Sequence, residues 1–389
     1  MQLPAGFRAH TANIGIKDDT ADFSVIAAER PCAAAAVFTR SRFAGPSVTL
    51  SRAHASDGSL QAIVVVSKNA NVATGTDGDA DALELVEGVA RALGCEPSDV
   101  LVASTGVIGR RYPMDRIRTH LASMPPPDST EADAVAAAIM TTDTHPKVAQ
   151  ASLPSENGQA SVVGIAKGVG MIEPDMATML AFVLTDAAVD PDVLDRTFRA
   201  VVERTFNALS VDTDTSTSDT AAVLASGAAG AVVEADLEAA LDAVCLDLTR
   251  QLAADGEGAE TLVVVTVDEA RDRAQAKRVA KAIVNSPLVK TAVHGADPNW
   301  GRIAMAVGKC SDDTDIDQRA VTIRIGDREL YPKPASDDDL EAMVEHLRGD
   351  EVSIHVSLGV VPGVDGERAT VYGCDLTDGY VRINADYTT

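Results

Sequence analysis

Short, unbroken runs of β-branched residues constrain this chain more than any other feature. Ile63-Val64-Val65-Val66, Val100-Leu101-Val102-Ala103 and the segment from Leu262 to Val267 carry almost no polar side chain. Each therefore reads as a strand buried on both faces, since a half-exposed strand would alternate. Val352, Ile354, Val356 and Leu358 do alternate, and predict a strand with one wet face. Between these runs the apolar period changes to that of a helix. A helix over 82–92 can be ended by Gly94 in a left-handed cap. Asp190-Pro191 opens another, followed by Leu194, Phe198, Val201, Val202 and Leu209. Leu237, Leu241, Val244 and Leu248 repeat the pattern, as do Leu340, Val344 and Leu347 before Gly349. Thr130 with Asp133 three residues on predicts a capping-box start for a helix over 130–140. Pro332 and Pro334 mark a loop, and the polar stretch 312–318 reads as a surface connection. Strands interleaved with helices, without a fixed repeat, imply an α/β fold.

At 389 residues the chain is two to three times the usual domain length. The expectation is a main α/β domain over 1–275 and a smaller α/β domain over 276–389. The 33 Lys and Arg stand against 58 Asp and Glu, a formal charge of −25. Nucleic-acid and anionic-membrane binding both draw on clustered cations, so neither partner is expected. The cysteines (Cys32, Cys95, Cys245, Cys310, Cys374) are odd in number and far apart. That predicts reduced, mostly buried thiols in a cytoplasmic protein and no thiolate zinc cluster. No run approaches the ~18 apolar residues of a membrane span, and MQLPAGFRAHTANIGIKDD lacks the basic-then-apolar order of a secretory signal.

General motifs say little. There is no Gly-x4-Gly-Lys-Ser/Thr loop, and Lys167-Gly168-Val169-Gly170 offers two of three dinucleotide-fingerprint glycines, with Glu173 where the third would fall. Asp212-Thr213-Asp214-Thr215-Ser216 opens like a calcium loop but has Val223 at the position of the bidentate Glu, so a polar loop is the better reading. The seven histidines show no zinc spacing, so no metal is expected. His294, beside the only tryptophan, reads equally as a packed histidine at a helix start or as a functional one. No Gly-x-Ser-x-Gly elbow is present. What remains is a set of Gly- and Thr-rich segments without histidine: Ser104-Thr105-Gly106, Thr141-Thr142-Asp143-Thr144 and Pro174-Asp175-Met176-Ala177-Thr178-Met179-Leu180. A hydroxyl beside tight glycine turns can serve as a nucleophile with an oxyanion hole, though such threonines more often cap or pack.

At KGVGMIEPDMATMLAF (167–182) the chain resembles the ornithine acetyltransferase (glutamate N-acetyltransferase) family of arginine biosynthesis. The likeness runs through PAGFRAHTANIGIK, NANVATG (69–75), STGVIGR (104–110), IMTTDTHPK (139–147), STSDT (216–220), DGEGA (255–259), VKTAVHGADPNWGR (289–302) and the terminal GYVRINADYTT. NANVATG, DTDTSTSDT and KCSDDTDIDQ look like the variant found with clavulanic-acid biosynthesis.

The resemblance implies an N-terminal-nucleophile type of α/β sandwich that cuts itself between Ala177 and Thr178, giving an α chain 1–177 and a β chain from 178 that stay associated as a heterotetramer or larger. It implies that Thr178 takes the acetyl group of N2-acetyl-L-ornithine and passes it to L-glutamate, with no cofactor. Thr105 and Gly106 match the family's oxyanion positions. Thr141, Lys167, Thr178, Glu257, Asn384 and Thr389 match its substrate-binding positions, and the tail bearing Thr389 is expected to return to the site. Two departures bear on substrate range: Glu260-Thr261 where a Lys is common, and Ser67-Lys68 where many relatives have Ser-Gly. The alternatives are a bifunctional enzyme also using acetyl-CoA, a hydrolase of the same fold that releases acetate, and a non-catalytic binding protein.

Overall fold

The computed structural model describes residues 1–173 and 179–386. They form two compact units, residues 1–207 with 215–248, and residues 208–214 with those from 249 onward. Each is an α/β body built on one sheet.

The first unit carries strands β1 (Phe7–Ala12), β2 (Phe23–Phe38), β3 (Ser59–Val66), β4 (Val100–Ser104), β5 (Lys147–Ser155), β6 (Gly158–Lys167), β7 (Leu180–Ala188) and β8 (Thr220–Ala231). Their order is β4-β3-β2-β8-β7-β6-β5, with β1 paired to β2. β3–β4 and β7–β8 are parallel, and the other pairs are antiparallel. The expected run in β3 divides its side chains between two cores. Ile63 and Val65 join Phe7, Leu101 and Phe182, while Val64 and Val66 join Phe23, Val102 and the helix residues Leu85, Val86 and Val89. Burial on both faces is what removed polar residues from the run. β2 is long because one of its edges serves two partners in turn. Residues 23–28 pair with β1 and residues 33–38 with β8, while β3 runs along the other edge with a register shift between Ala27 and Cys32, where exposed Glu29, Arg30 and Pro31 lie. Gly164 in β6 lets the helix Glu234–Ala254 lie close, since a Cβ there would sit 2.5 Å from Val244 Cγ1.

The second unit carries β9 (Leu262–Ala270), β10 (Thr322–Ile325), β11 (Arg328–Tyr331), β12 (Glu351–Ser357) and β13 (Glu367–Cys374), in the order β11-β10-β12-β9-β13. β9 is parallel to β12 and antiparallel to β13. Its Val263, Val265 and Val267 pack with Val279 and Ile283 of the helix Arg273–Val284, whereas Val264 and Thr266 on the other face are only half-buried, so this run is not buried on both faces as expected. β9 precedes residue 275, so a cut at 275/276 would take this strand from its own sheet. The units part instead at 248/249, inside the helix Glu234–Ala254.

Several local expectations change. The helix foreseen over 82–92 begins at Gly75, because Asp77 and Asp81 in the Gly- and Asp-rich stretch find a partner in Arg111 (2.6 and 2.7 Å). No capping box forms at Thr130. Its hydroxyl donates to Gln2, Asp133 takes the N-terminal ammonium, and the helix runs Ala132–Ile139. Leu209 lies beyond the helix Pro191–Arg204. His294 ends the helix Pro287–His294 rather than starting one. In the stretch 312–318, Asp313 is buried against Arg271 and Arg278, so it is more than a surface connection. No described helix is long and apolar enough to cross a membrane. The cysteines form no disulfide among the described residues, and burial pushes the Cys32 thiol up to about 12, which makes it a poor nucleophile.

Candidate active site

In the first unit a cross-strand row runs Lys167↔Leu180↔Thr220↔Phe38, joining the end of β6 to the starts of β7 and β8 and the end of β2. Here the structure gathers several of the sequence-selected residues. Lys167, 6% exposed, donates from Nζ to Thr141 Oγ1 at 2.7 Å and to Thr105 Oγ1 at 3.3 Å. Three segments far apart in the chain thus meet at one cation.

Thr105 and Gly106 follow β4 directly, and their turn interlocks with the loop after the parallel neighbour β3. Thr105 N–H donates to Val66 O (3.1 Å), Val107 N–H to Lys68 O (3.4 Å) and Ala70 N–H to Val107 O (3.2 Å). Among the described residues no acceptor stands opposite the Gly106 N–H. Gly106 has φ +125°, and a Cβ on it would lie 2.3 Å from Lys68 C. Only glycine fits such an approach. Lys68, Asn71 and Ala73 in the facing loop also have positive φ, a strain of the kind that collects at functional sites.

Below Lys167 lies an ionic node that sequence reasoning passed over. Asp143 accepts from Lys147 Nζ (2.9 Å), Gly168 N–H (2.7 Å) and Thr141 N–H (3.0 Å), and Lys167 Nζ is 3.7 Å away. Burial opposes ionisation of Asp143, but the charges of Lys167 and Lys147 and the Thr141 N–H outweigh it and hold the carboxyl well below the ordinary range. Lys147 and Asp143 side chains are fully buried. Lys17 belongs to the same field. It donates to Ala21 O (2.9 Å) and Ala138 O (3.0 Å), and burial, with Lys68 and Lys167 nearby, lowers its ammonium to about 8 despite Asp22 and Asp143. Both Asp143 and Lys147 stand inside IMTTDTHPK, but outside a helix their four-residue spacing does not mark them as a pair. Asp219, in STSDT, lies at this end of the sheet as well.

The second unit holds two further sequence-selected residues. Asn384 Nδ2 donates to Glu257 Oε2 at 2.9 Å and to Tyr380 O at 3.0 Å. A cavity of 160 Å³ beside them is lined by Glu257, Asp212, Lys290 and Tyr380. Burial, with Asp212, Asp214 and Glu257 around it, pushes the Tyr380 hydroxyl up to about 12. His294 Nδ1 faces Asp375 Oδ2 at 3.2 Å, while Asp375 Oδ1 accepts from the Glu260 and Thr261 N–H groups. Asp375 is thereby committed to holding backbone. Ala177, Thr178 and Thr389 lie outside the described residues.

A buried ammonium beside two threonine hydroxyls and a glycine N–H turn can bind a carboxylate and stabilise an oxyanion. Residues 8–389 match the ArgJ family. The chain belongs to it. The glutamate N-acetyltransferase Oat2 of Streptomyces clavuligerus is 58% identical over 395 residues, covering 100% of this chain and 98% of that one. The arginine biosynthesis bifunctional protein ArgJ of Rhodococcoides fascians is 52% identical, over 99% of this chain and 94% of its own. A crystal structure of the arginine biosynthesis bifunctional protein argJ from Bacillus halodurans is 41% identical, with TM-score 0.50, covering 54% of this chain and 100% of that chain. The mixed α/β architecture with two sheets agrees with membership of this ArgJ family.

Proposed function

We propose that this protein is a self-cleaving acyltransferase that moves the acetyl group of N2-acetyl-L-ornithine to L-glutamate through an acetyl ester on Thr178. The reading is carried by one observation. The strand that begins two residues after Thr178 is in register with Lys167, whose ammonium bridges Thr105 and Thr141. Family membership and relatives named as glutamate N-acetyltransferase and as arginine biosynthesis protein support the same chemistry.

Thr178 Oγ attacks the Ala177 carbonyl, the acyl group moves from nitrogen to oxygen, and water opens the ester. The freed α-amine has an ordinary pKa of about 7.7–8.0, suited to take the proton of the adjacent hydroxyl. In turnover that hydroxyl attacks the acetyl carbonyl of the donor. The Gly106 N–H and the Thr105 hydroxyl stabilise the oxyanion. Ornithine leaves with a proton from the α-amine, and the glutamate amine then attacks the acetyl ester. Lys167 and Thr141 hold a substrate carboxylate, with Glu257, Asn384 and Thr389 as further substrate-binding positions. One amide is exchanged for another, so no external energy source is needed. We place the enzyme in the cytoplasm, where its thiols stay reduced, as associated α and β chains that assemble into a heterotetramer or larger.

Intact-mass spectrometry tests this directly. Two chains are expected, the second beginning at Thr178, and Thr178→Ala is expected to give one uncut chain without acetyl transfer. An uncut Thr178→Ala protein with full activity would sink the reading.

A further inference from the structure

Asp219 has no part in the acetyl exchange above, and its surroundings are costly for a carboxyl group. It is 2% exposed, and Oδ2 has no hydrogen-bond partner among the described residues. A buried polar atom without a partner keeps its desolvation cost uncompensated and calls for a reason. Burial drives its carboxyl well above the ordinary range. The Ser216 and Thr39 hydroxyls, the Lys167 charge and the Met179 N–H relieve only part of that. The placement is specific. Thr220, the next residue, donates its N–H to Met179 O at 3.0 Å and pairs with Leu180. Met179 directly follows residue 178 in the sequence, so Asp219 stands beside the first described residue after the proposed nucleophile.

We propose that Asp219 carries the proton that the Ala177–Thr178 bond needs in order to break. The inference rests on the self-processing reading and adds its missing acid. When Thr178 Oγ adds to the Ala177 carbonyl carbon, the C–N bond of the tetrahedral intermediate can break only if the nitrogen is protonated. An amide anion is too basic to leave. In the mature enzyme the α-amine can move protons, but before the cut that nitrogen is a non-basic amide. A neutral carboxyl fills the gap. It gives its proton to the departing nitrogen as the C–N bond breaks and recovers the one displaced from Oγ, so the N-to-O shift is an isomerisation that regenerates the acid. Water then adds to the ester and the C–Oγ bond breaks. The products are the Ala177 carboxylate, the Thr178 hydroxyl and a protonated amine. A purely structural Asp219 would be expected to have both oxygens paired; among the described residues Oδ2 has no partner.

The test follows uncut precursor, made by cell-free synthesis, by intact mass between pH 5 and 9. The wild-type cutting rate is expected to fall on the alkaline side as the carboxyl ionises. Asp219→Asn should cut about 10²- to 10⁴-fold more slowly and lose that alkaline fall. Its melting midpoint should exceed the wild type's by a margin that widens with pH. A carboxyl raised in the folded state favours folding less and less as pH rises through its folded value, and Asn is spared that loss. Asp219→Asn cutting at the wild-type rate overturns the proposal, and so does slow cutting with a lowered midpoint. Should the variant be insoluble, Asp219→Ser takes its place, and cutting by that variant at the wild-type rate overturns the proposal. Thr178→Ala separates the two readings. If that precursor is still cut, self-processing fails whatever Asp219 does.

Discussion

At the scale of single residues, the node around Asp143 decides how the candidate site is held. Its carboxylate is shared between Lys147, which is fully buried, and the turns bearing Thr141 and Gly168. Removing one partner of a buried pair is worse than removing both, because the survivor keeps its desolvation cost. Asp143→Asn leaves Lys147 with a neutral neighbour and is expected to cost about 3–5 kcal/mol at pH 7, read from the shift in urea midpoint. The acid's folded value lies below its unfolded one, so its stabilisation is present above the ordinary carboxylate range. That stabilisation is lost as pH falls through the folded value. The gap between variant and wild type should therefore shrink below about pH 4. A gap unchanged down to pH 2 would mean that the pair contributes no charge-dependent stability. Thr105, Gly106, Thr141 and Lys167 were legible because hydroxyls, a cation and a glycine stand in recognisable motifs. Asp143, Lys147, Lys17 and Asp219 were not. A buried charge leaves no composition signal, since its meaning lies in a partner brought from another strand.

At the scale of elements, the sequence was most readable where tertiary contacts agree with local chemistry. β3, β4 and β9 stand where the β-branched runs placed them, and Gly94 does close its helix in the left-handed conformation. Asp190 caps Pro191–Arg204 as its chemistry suggests, accepting from the Asp192 and Val193 N–H groups at 3.0 and 3.4 Å. Local order failed where a distant partner offered more. Thr130 and Asp133 would have capped each other, but Gln2 and the chain's ammonium took them. The helix start at Gly75 was hidden because Gly and Asp favour loops until Arg111 pairs with Asp77 and Asp81. The two Asp-led starts make a contrast. Asp190→Ala should lower stability by about 1 kcal/mol, whereas Asp133→Ala should not carry a capping loss. Parallel denaturant curves check this. Equal losses would show that the Asp190 hydrogen bonds are not what starts its helix.

At the scale of the whole molecule, the charge of −25 bears on which acetyl donor can approach. N2-acetyl-L-ornithine is close to neutral overall, with one carboxylate and one ammonium. Acetyl-CoA carries several phosphate charges of the same sign as the protein. A field of net negative charge lowers encounter with an anion and leaves a neutral zwitterion nearly untouched. The described cations Lys17, Lys68 and Lys167 that share one field are partly or fully withdrawn from solvent, and Asp143 sits among them, so they do little for a polyanion at long range. The exchange reaction should therefore run faster than acetylation by acetyl-CoA, by about tenfold or more in kcat/KM at low salt. Raising salt from 20 to 300 mM, a range over which screening shortens from beyond ~20 Å to under ~10 Å, should narrow the gap by quickening the acetyl-CoA reaction alone. Steady-state rates with each donor and saturating glutamate measure both terms. If acetyl-CoA is the faster donor, or if salt slows it, a cationic approach path must exist that outweighs the overall charge, and the alternative of an enzyme that also uses acetyl-CoA would be the better description.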